Sequence, residues 1–114
     1  MVGMQTRQDS TDSHRAPITI VLVHDERIIR GALTQSLTSA GFDIVAEAAN
    51  AQDAVILVVD LRPDVVLMDL RLPDRAGVKT VEQITLLAPA SRVMILTRPE
   101  ENQLVEAIVA GASG

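Results

Sequence analysis

The sequence predicts an α/β domain built on a doubly wound parallel sheet, and two observations carry that expectation. From Ile18 onward, short continuous apolar runs alternate with longer segments whose apolar residues recur at helical spacing. That is the pattern of parallel strands joined by crossover helices. In addition, 47% of the 114 residues are apolar but only 1% are aromatic, so the core is made of Val, Leu, Ile and Ala, which suit helices packed on a sheet.

The elements follow in order. Met1–Pro17 is polar, rich in Ser, Thr, Gln and Asp, and without period, as expected of a disordered tail or of an over-long start upstream of Met4. Residues 18–114 then form one domain. The first strand is expected at Ile18–His24. Arg27–Ala40 is a helix with Ile29, Leu33 and Leu37 on one stripe, closed by Gly41. A second strand spans Asp43–Ala48. Asn50 caps a second helix that Pro63 forbids to continue. Its stripe is Ala54, Val58 and Leu61. Ile56 and Val59 fall outside it, either as ordinary exposed apolar residues or as a partner surface. The third strand is Asp64–Asp69. A third helix, about Arg75–Ala88, stripes Val78, Val81 and Thr85 or Ile84. The fourth strand is Arg92–Thr97, and a fourth helix, about Glu100–Ala110, stripes Leu104, Val105, Ile108 and Val109 before Gly111. The order is βαβαβαβα, without internal repeat.

Composition excludes several classes of function. There is no Cys, hence neither a disulfide nor thiolate chemistry. A formal charge of -5 opposes direct binding of this segment to nucleic acid or an anionic membrane, because both need clustered Lys and Arg. No long apolar segment and no charged-then-apolar leader is visible, so the expected location is the cytoplasm, with no membrane partner.

Strands apolar on both faces belong in the middle of a doubly wound sheet, and ligands gather at the carboxyl ends of such strands. Those ends carry His24, Asp25 and Glu26 after the first strand, Asp69 after the third, and Thr97 after the fourth. Acids and a hydroxyl converging on one crevice suit Mg²⁺ and a phosphoryl group, because a hard cation takes oxygen ligands and keeps a phosphate oxygen among them. Asp69 is then a candidate carboxylate nucleophile. For Asp25 or Asp74 alone, helix capping explains the acid equally well. It does not suit Asp69, which several residues and Pro73 separate from the next helix. Met68 beside it reads as core filling, and His14 in the tail as a solvated side chain.

Four blocks, VLVHDERIIRGAL, LRPDVVLMDLRLPDRAG, VMILT and VAGASG, resemble the receiver domain of bacterial response regulators. The subgroup nearest in flavour is usually fused to a LuxR-type helix-turn-helix. The resemblance runs from about Ile20 to the last residue, and its most specific part is the spacing of Asp69, Pro73 and Gly77. It implies a flavodoxin-like sheet of order 2-1-3-4-5, here 2-1-3-4 with the fifth strand and last helix absent. It also implies a role in two-component signalling, in which Asp69 accepts a phosphoryl group from a sensor histidine kinase and an output, transcription, is regulated elsewhere. Asp25 matches the metal-binding acid, the main-chain carbonyl of Arg71 a third Mg²⁺ ligand, and Thr97 the hydroxyl that turns toward the phosphoryl oxygens. Such a domain is no enzyme beyond its own phosphorylation and dephosphorylation.

Three departures from that family bear on function. His24 stands where receivers carry the first of two adjacent acids; Ile28, Ile29, Arg30 and Leu33 fix the register. Imidazole is a poor Mg²⁺ ligand, so weak Mg²⁺ binding is expected. Glu26 either replaces part of the charge through a water or is simply an acid in the first turn of a helix. Arg98 stands where a small residue is usual, and either covers the site or pairs with a phosphoryl oxygen. The aromatic switch residue and phosphate-binding Lys that follow GASG in the family are absent from the chain. Two alternatives remain: a degenerate receiver that acts only by binding a partner, and, last in rank, an aspartyl-nucleophile hydrolase, which wants an acid where Arg71 stands.

Without a fifth strand, the fourth becomes an edge with unpaired main-chain groups, and apolar side chains lose cover at about 1.5–3 kcal/mol each. The chain is therefore expected either to self-associate, as a homodimer or larger species, or to be only part of a longer protein. Light scattering checks this, and a monodisperse monomer with a cooperative melt contradicts it.

Overall fold

The four apolar runs become four strands, β1 (Thr19–Val23), β2 (Asp43–Ala48), β3 (Val65–Met68) and β4 (Arg92–Ile95), joined through α1 (Arg27–Ser39), α2 (Ala51–Leu61) and α3 (Gly77–Leu87). This computed structural model describes residues 16–72, 77–96 and 111. The tail before residue 16, Pro73, Asp74, Thr97, Arg98 and the expected fourth helix lie outside the described residues. All strand pairs are parallel, in the order β2-β1-β3-β4, as expected. Beside β1, the register of β2 slips between Ile20 and Val21, so that Ile44 and Ala46 are paired while Val45 is passed over. β2 keeps its expected bounds, β1 and β3 each lose one residue at both ends, and β4 ends at Ile95. Asp64 stays outside β3 because its carboxylate is the anchor of β1, taking both the N–H of Thr19 at 2.9 Å and its hydroxyl at 3.1 Å.

Local chemistry explains where the helices stop. Gly41, with φ of 100°, follows the last residues of α1; its N–H bonds to Thr38 O and the N–H of Phe42 bonds to Leu37 O. That pair of bonds is the Schellman ending, which favours Gly at the left-handed position. Asn50 caps α2 as expected, accepting the N–H of Asp53 at 2.9 Å. At its other end Arg62 turns left-handed, φ 50°, directly before Pro63.

The two faces of the sheet are covered unequally. On one, Val21, Val23, Val66, Met68 and Val93 meet Ala51, Ala54 and Val58 of α2 and Val81 and Ile84 of α3, forming a single buried core. Each large side chain so buried contributes on the order of 1.5–3 kcal/mol. The alternative left open in α3 falls to Ile84, which is buried; Thr85 is half-buried and turns its hydroxyl back to Val81 O at 2.8 Å. In α2 the stripe is Ala51, Ala54 and Val58, and the expected Leu61 is 41% exposed because it sits in the last turn, past the core. Ile56 is exposed. On the other face lies α1, and none of its residues is buried: Leu33 and Leu37 are half-buried and Ile29 is exposed. The expected α1 stripe thus exists but does not enter a closed core, since among the described residues no second helix flanks α1 on that face. Val65, Leu67 and Met94 are correspondingly only partly covered.

Gly77 opens α3 where a Cβ would fall onto the main-chain carbonyl of Leu70. Only glycine lets the helix approach the segment just after Asp69 so closely. Gly77→Ala is therefore expected to cost about 1–3 kcal/mol, as overpacking does, read as a lower urea midpoint with an unchanged slope.

Candidate functional site

At the carboxyl end of the sheet the parallel ladder runs past the strands. The N–H of His24 bonds to Ala48 O at 3.0 Å, that of Asp69 to Val23 O at 3.1 Å, and that of Leu96 to Met68 O at 2.9 Å. These bonds set the ends of β1 and β3 side by side, and with them the buried side chains of His24 and Asp69. Asp25 joins them from the surface, and one ligand atom from each of the three residues lies within 4.8 Å of the others.

The hydrogen bonds define each group's orientation. Asp69 Oδ1 accepts the N–H of Arg71 at 2.8 Å, a bond strengthened by the carboxylate charge. That bond fixes the loop while the Arg71 side chain stays exposed. His24 Nδ1 accepts the N–H of Glu26 at 3.1 Å, so the neutral ring is assigned the tautomer with its proton on Nε2. Nε2 faces Asp69 Oδ2 at 3.6 Å, and Nδ1 lies 3.5 Å from Asp25 Oδ1. The capping reading of Asp25 fails, because the N-cap of α1 is Glu26, and Glu26 makes no side-chain cap. Nor does Glu26 enter the first turn of α1; it touches the site by its main chain alone.

The site residue that sequence reasoning missed is Arg30. Its Nη1 donates to the carbonyl of His24 at 2.8 Å, and its Nε donates to Glu47 Oε1 at 3.0 Å, while Thr34 Oγ1 donates to Glu47 Oε2 at 3.0 Å. This tie clamps the turn after β1 to α1 and β2. Its signal in the sequence is faint: an Arg one turn into a helix and a Glu next to last in a strand identify each other only once β2 is known to pair with β1.

A family model described as the response regulator receiver domain matches residues 20–114. The chain belongs to this family. The receiver domain is 30% identical over 94 residues to the chemotaxis protein CheY of Thermotoga maritima, covering 82% of this chain and 78% of that protein. It is 37% identical over 99 residues to the transcriptional regulatory protein LnrK of Bacillus subtilis, covering 85% of this chain and 45% of LnrK. It thus spans about half the length of that relative. Among solved structures, a two-component response regulator of the LuxR family from Aurantimonas sp. SI85-9A1 superposes with a TM-score of 0.80 at 35% identity, covering 87% of this chain and 72% of that one.

Receivers generally bind Mg²⁺ through Asp residues. In this receiver the carboxylates of Asp25 and Asp69 suit that ion, but His24 does not, because its Nδ1 is taken by an N–H and its Nε2 carries a proton toward Asp69. Among the described residues no helix is long and apolar enough to cross a membrane.

Arg30→Met removes a charged donor from a partly buried carbonyl. The expected cost is about 1–2 kcal/mol by urea denaturation. Glu47→Gln is expected to cost less, because that carboxylate is more than a third exposed and screened by water.

Proposed function

We propose that this receiver accepts a phosphoryl group on Asp69 from the phosphohistidine of a sensor histidine kinase and regulates transcription through a region beyond these residues. The supporting observation is Asp69 itself: a buried carboxylate at the end of the central strand, one oxygen held by the Arg71 N–H and the other facing His24. In the transfer, a carboxylate oxygen of Asp69 attacks phosphorus. The new O–P bond forms as the N–P bond of the kinase imidazole breaks, and the imidazole keeps that electron pair and takes up a proton. Asp25 and Asp69, with the main-chain carbonyl of Arg71, are the groups that would hold a divalent cation. When bound, such an ion neutralises charge on the phosphoryl oxygens. His24 makes Mg²⁺ binding weak. Thr97 serves as the switch hydroxyl and Arg98 as a partner of a phosphoryl oxygen, while Glu26 adds negative charge at the rim. The added charge of about -1.5 to -2 is what reorients the loop that an output reads. Similarity to a transcriptional regulator supports that output. Turnover is confined to the domain's own phosphorylation and dephosphorylation.

A second reading has its own observation. The Nε2–H of His24 points at the very carboxylate that would be phosphorylated, which favours a receiver that works by binding a partner without phosphorylation. Mass spectrometry after incubation with acetyl phosphate and Mg²⁺ separates the two. The intact chain is expected to gain one phosphoryl group and Asp69→Ala none. Labelling that persists in Asp69→Ala overturns the assignment, and an unlabelled intact chain leaves the second reading standing.

A further inference from the structure

We infer that Arg30 is a positioning residue of the phospho-accepting site: by holding the carbonyl of His24 it fixes where Asp25 stands against Asp69, and Glu47 and Thr34 hold Arg30 in turn. The inference rests on the reading of Asp69 as the phospho-acceptor and of Asp25 as the acid that would share a divalent cation with it. It names the device that keeps the two carboxylates in place.

Asp25 is not held by its own side chain. That side chain is 39% exposed, and its Oδ1 lies 3.5 Å from His24 Nδ1, beyond the range of about 2.7–3.2 Å usual for a hydrogen bond to nitrogen. The same nitrogen already accepts the N–H of Glu26 at 3.1 Å. Where the carboxylate stands is therefore decided by the main chain that carries it. The sheet fixes that chain as far as the N–H of His24, bonded to Ala48 O. Beyond the turn, the N–H of Arg30 bonds to Glu26 O at 2.9 Å and starts the ladder of α1. The peptide joining His24 to Asp25 lies between these two anchors.

Arg30 supplies the third anchor at that peptide, since its Nη1 donates to His24 O at 2.8 Å. A peptide unit is planar, so holding its oxygen also sets the direction of the Asp25 N–H and the place of the Asp25 Cα. The bond joins a charged donor to a partly buried carbonyl, which makes it one of the stronger kind.

The guanidinium is itself held against rotation. Nε donates to Glu47 Oε1 at 3.0 Å, and Glu47 Oε2 takes the Thr34 hydroxyl at 3.0 Å. A guanidinium fork presents donors to two acceptors at a fixed angle, which the single ammonium of a lysine cannot do. Glu47 pairs with Leu22 in the ladder of β1 and β2, and β1 pairs in turn with β3, which ends at Asp69. Both carboxylates are thus placed from one sheet, Asp69 directly through its strand and Asp25 through the relay of Thr34, Glu47 and Arg30.

The test compares the full chain with Arg30→Met and Arg30→Lys. Two quantities are read: the NMR order parameter of the Asp25 N–H with no cation added, and the Mg²⁺ concentration that half-saturates the rate of Asp69 labelling by acetyl phosphate. The order parameter is expected near about 0.85 in the intact chain and below about 0.6 in Arg30→Met, with the N–H groups of α1 and β2 unchanged. The Mg²⁺ requirement is expected to rise about 10–100-fold in Arg30→Met, as it does when an outer partner of a metal ligand is lost. Arg30→Lys keeps the charge but not both bonds; it is expected to retain the urea midpoint of the intact chain and still raise the Mg²⁺ requirement, a separation that a purely structural role does not produce. If Arg30→Met does not fold, Arg30→Lys decides. An Asp25 N–H as rigid in the folded variants as in the intact chain overturns the inference, and so does an unchanged Mg²⁺ requirement. If the intact chain takes no label, the phospho-acceptor reading falls, and the positioning role of Arg30 is then decided by the order parameter of Asp25 alone.

Discussion

The parallel pairing of β1 with β3 is the constraint on which the molecule depends. It aligns Ile20 with Val65 and Val23 with Met68, and one further bond in the same direction, from the Asp69 N–H to Val23 O, puts the residues after the two strands next to each other. His24 and Asp69 are 45 positions apart in the chain but neighbours in space for that reason alone. A slip of one residue in this ladder would reverse the face of every side chain on the strand and pull the two apart. Asp64 guards the other end of the same pair by accepting both donors of Thr19.

A core on one side makes this pairing rigid where it matters. The residues that alternate toward α2 and α3, from Val21 to Val93, are closed from water, whereas toward α1 Ile20 and Leu22 are buried but Val65, Leu67 and Met94 are partly open. Gly77 extends that closure to the loop after β3, since the helix start rests against the Leu70 backbone. The spacing of Asp69 and Gly77 thus joins a reactive carboxylate to the packing contact that holds its loop in place.

Much of the candidate site was legible in the chain. Asp69 and Asp25 are marked by their place after apolar strands, and His24 by the departure from an acid. What the sequence could not carry was orientation. That Asp25 faces the ring of His24 and does not cap α1, that Glu26 contributes a main-chain N–H and no side-chain bond, and that Arg30 clamps the carbonyl of His24 all depend on torsions and on neighbours brought in by other strands. Hydrogen bonds across elements have no period, so no pattern along the chain announces them.

By itself the sequence determined the order of elements, the parallel character of the sheet and most helix ends. Each of these is set by local physics: the period of apolar residues, a side-chain cap at Asn50, a left-handed glycine at 41, and a proline at 63. Tertiary structure alone decided which apolar stripes are buried. Leu61 and the stripe of α1 have the spacing of core residues yet stay partly in water, while Ala51 and Ile84 are enclosed. Periodicity says which residues share a face of a helix, but burial depends on what lies opposite that face, and that is a property of the assembled sheet.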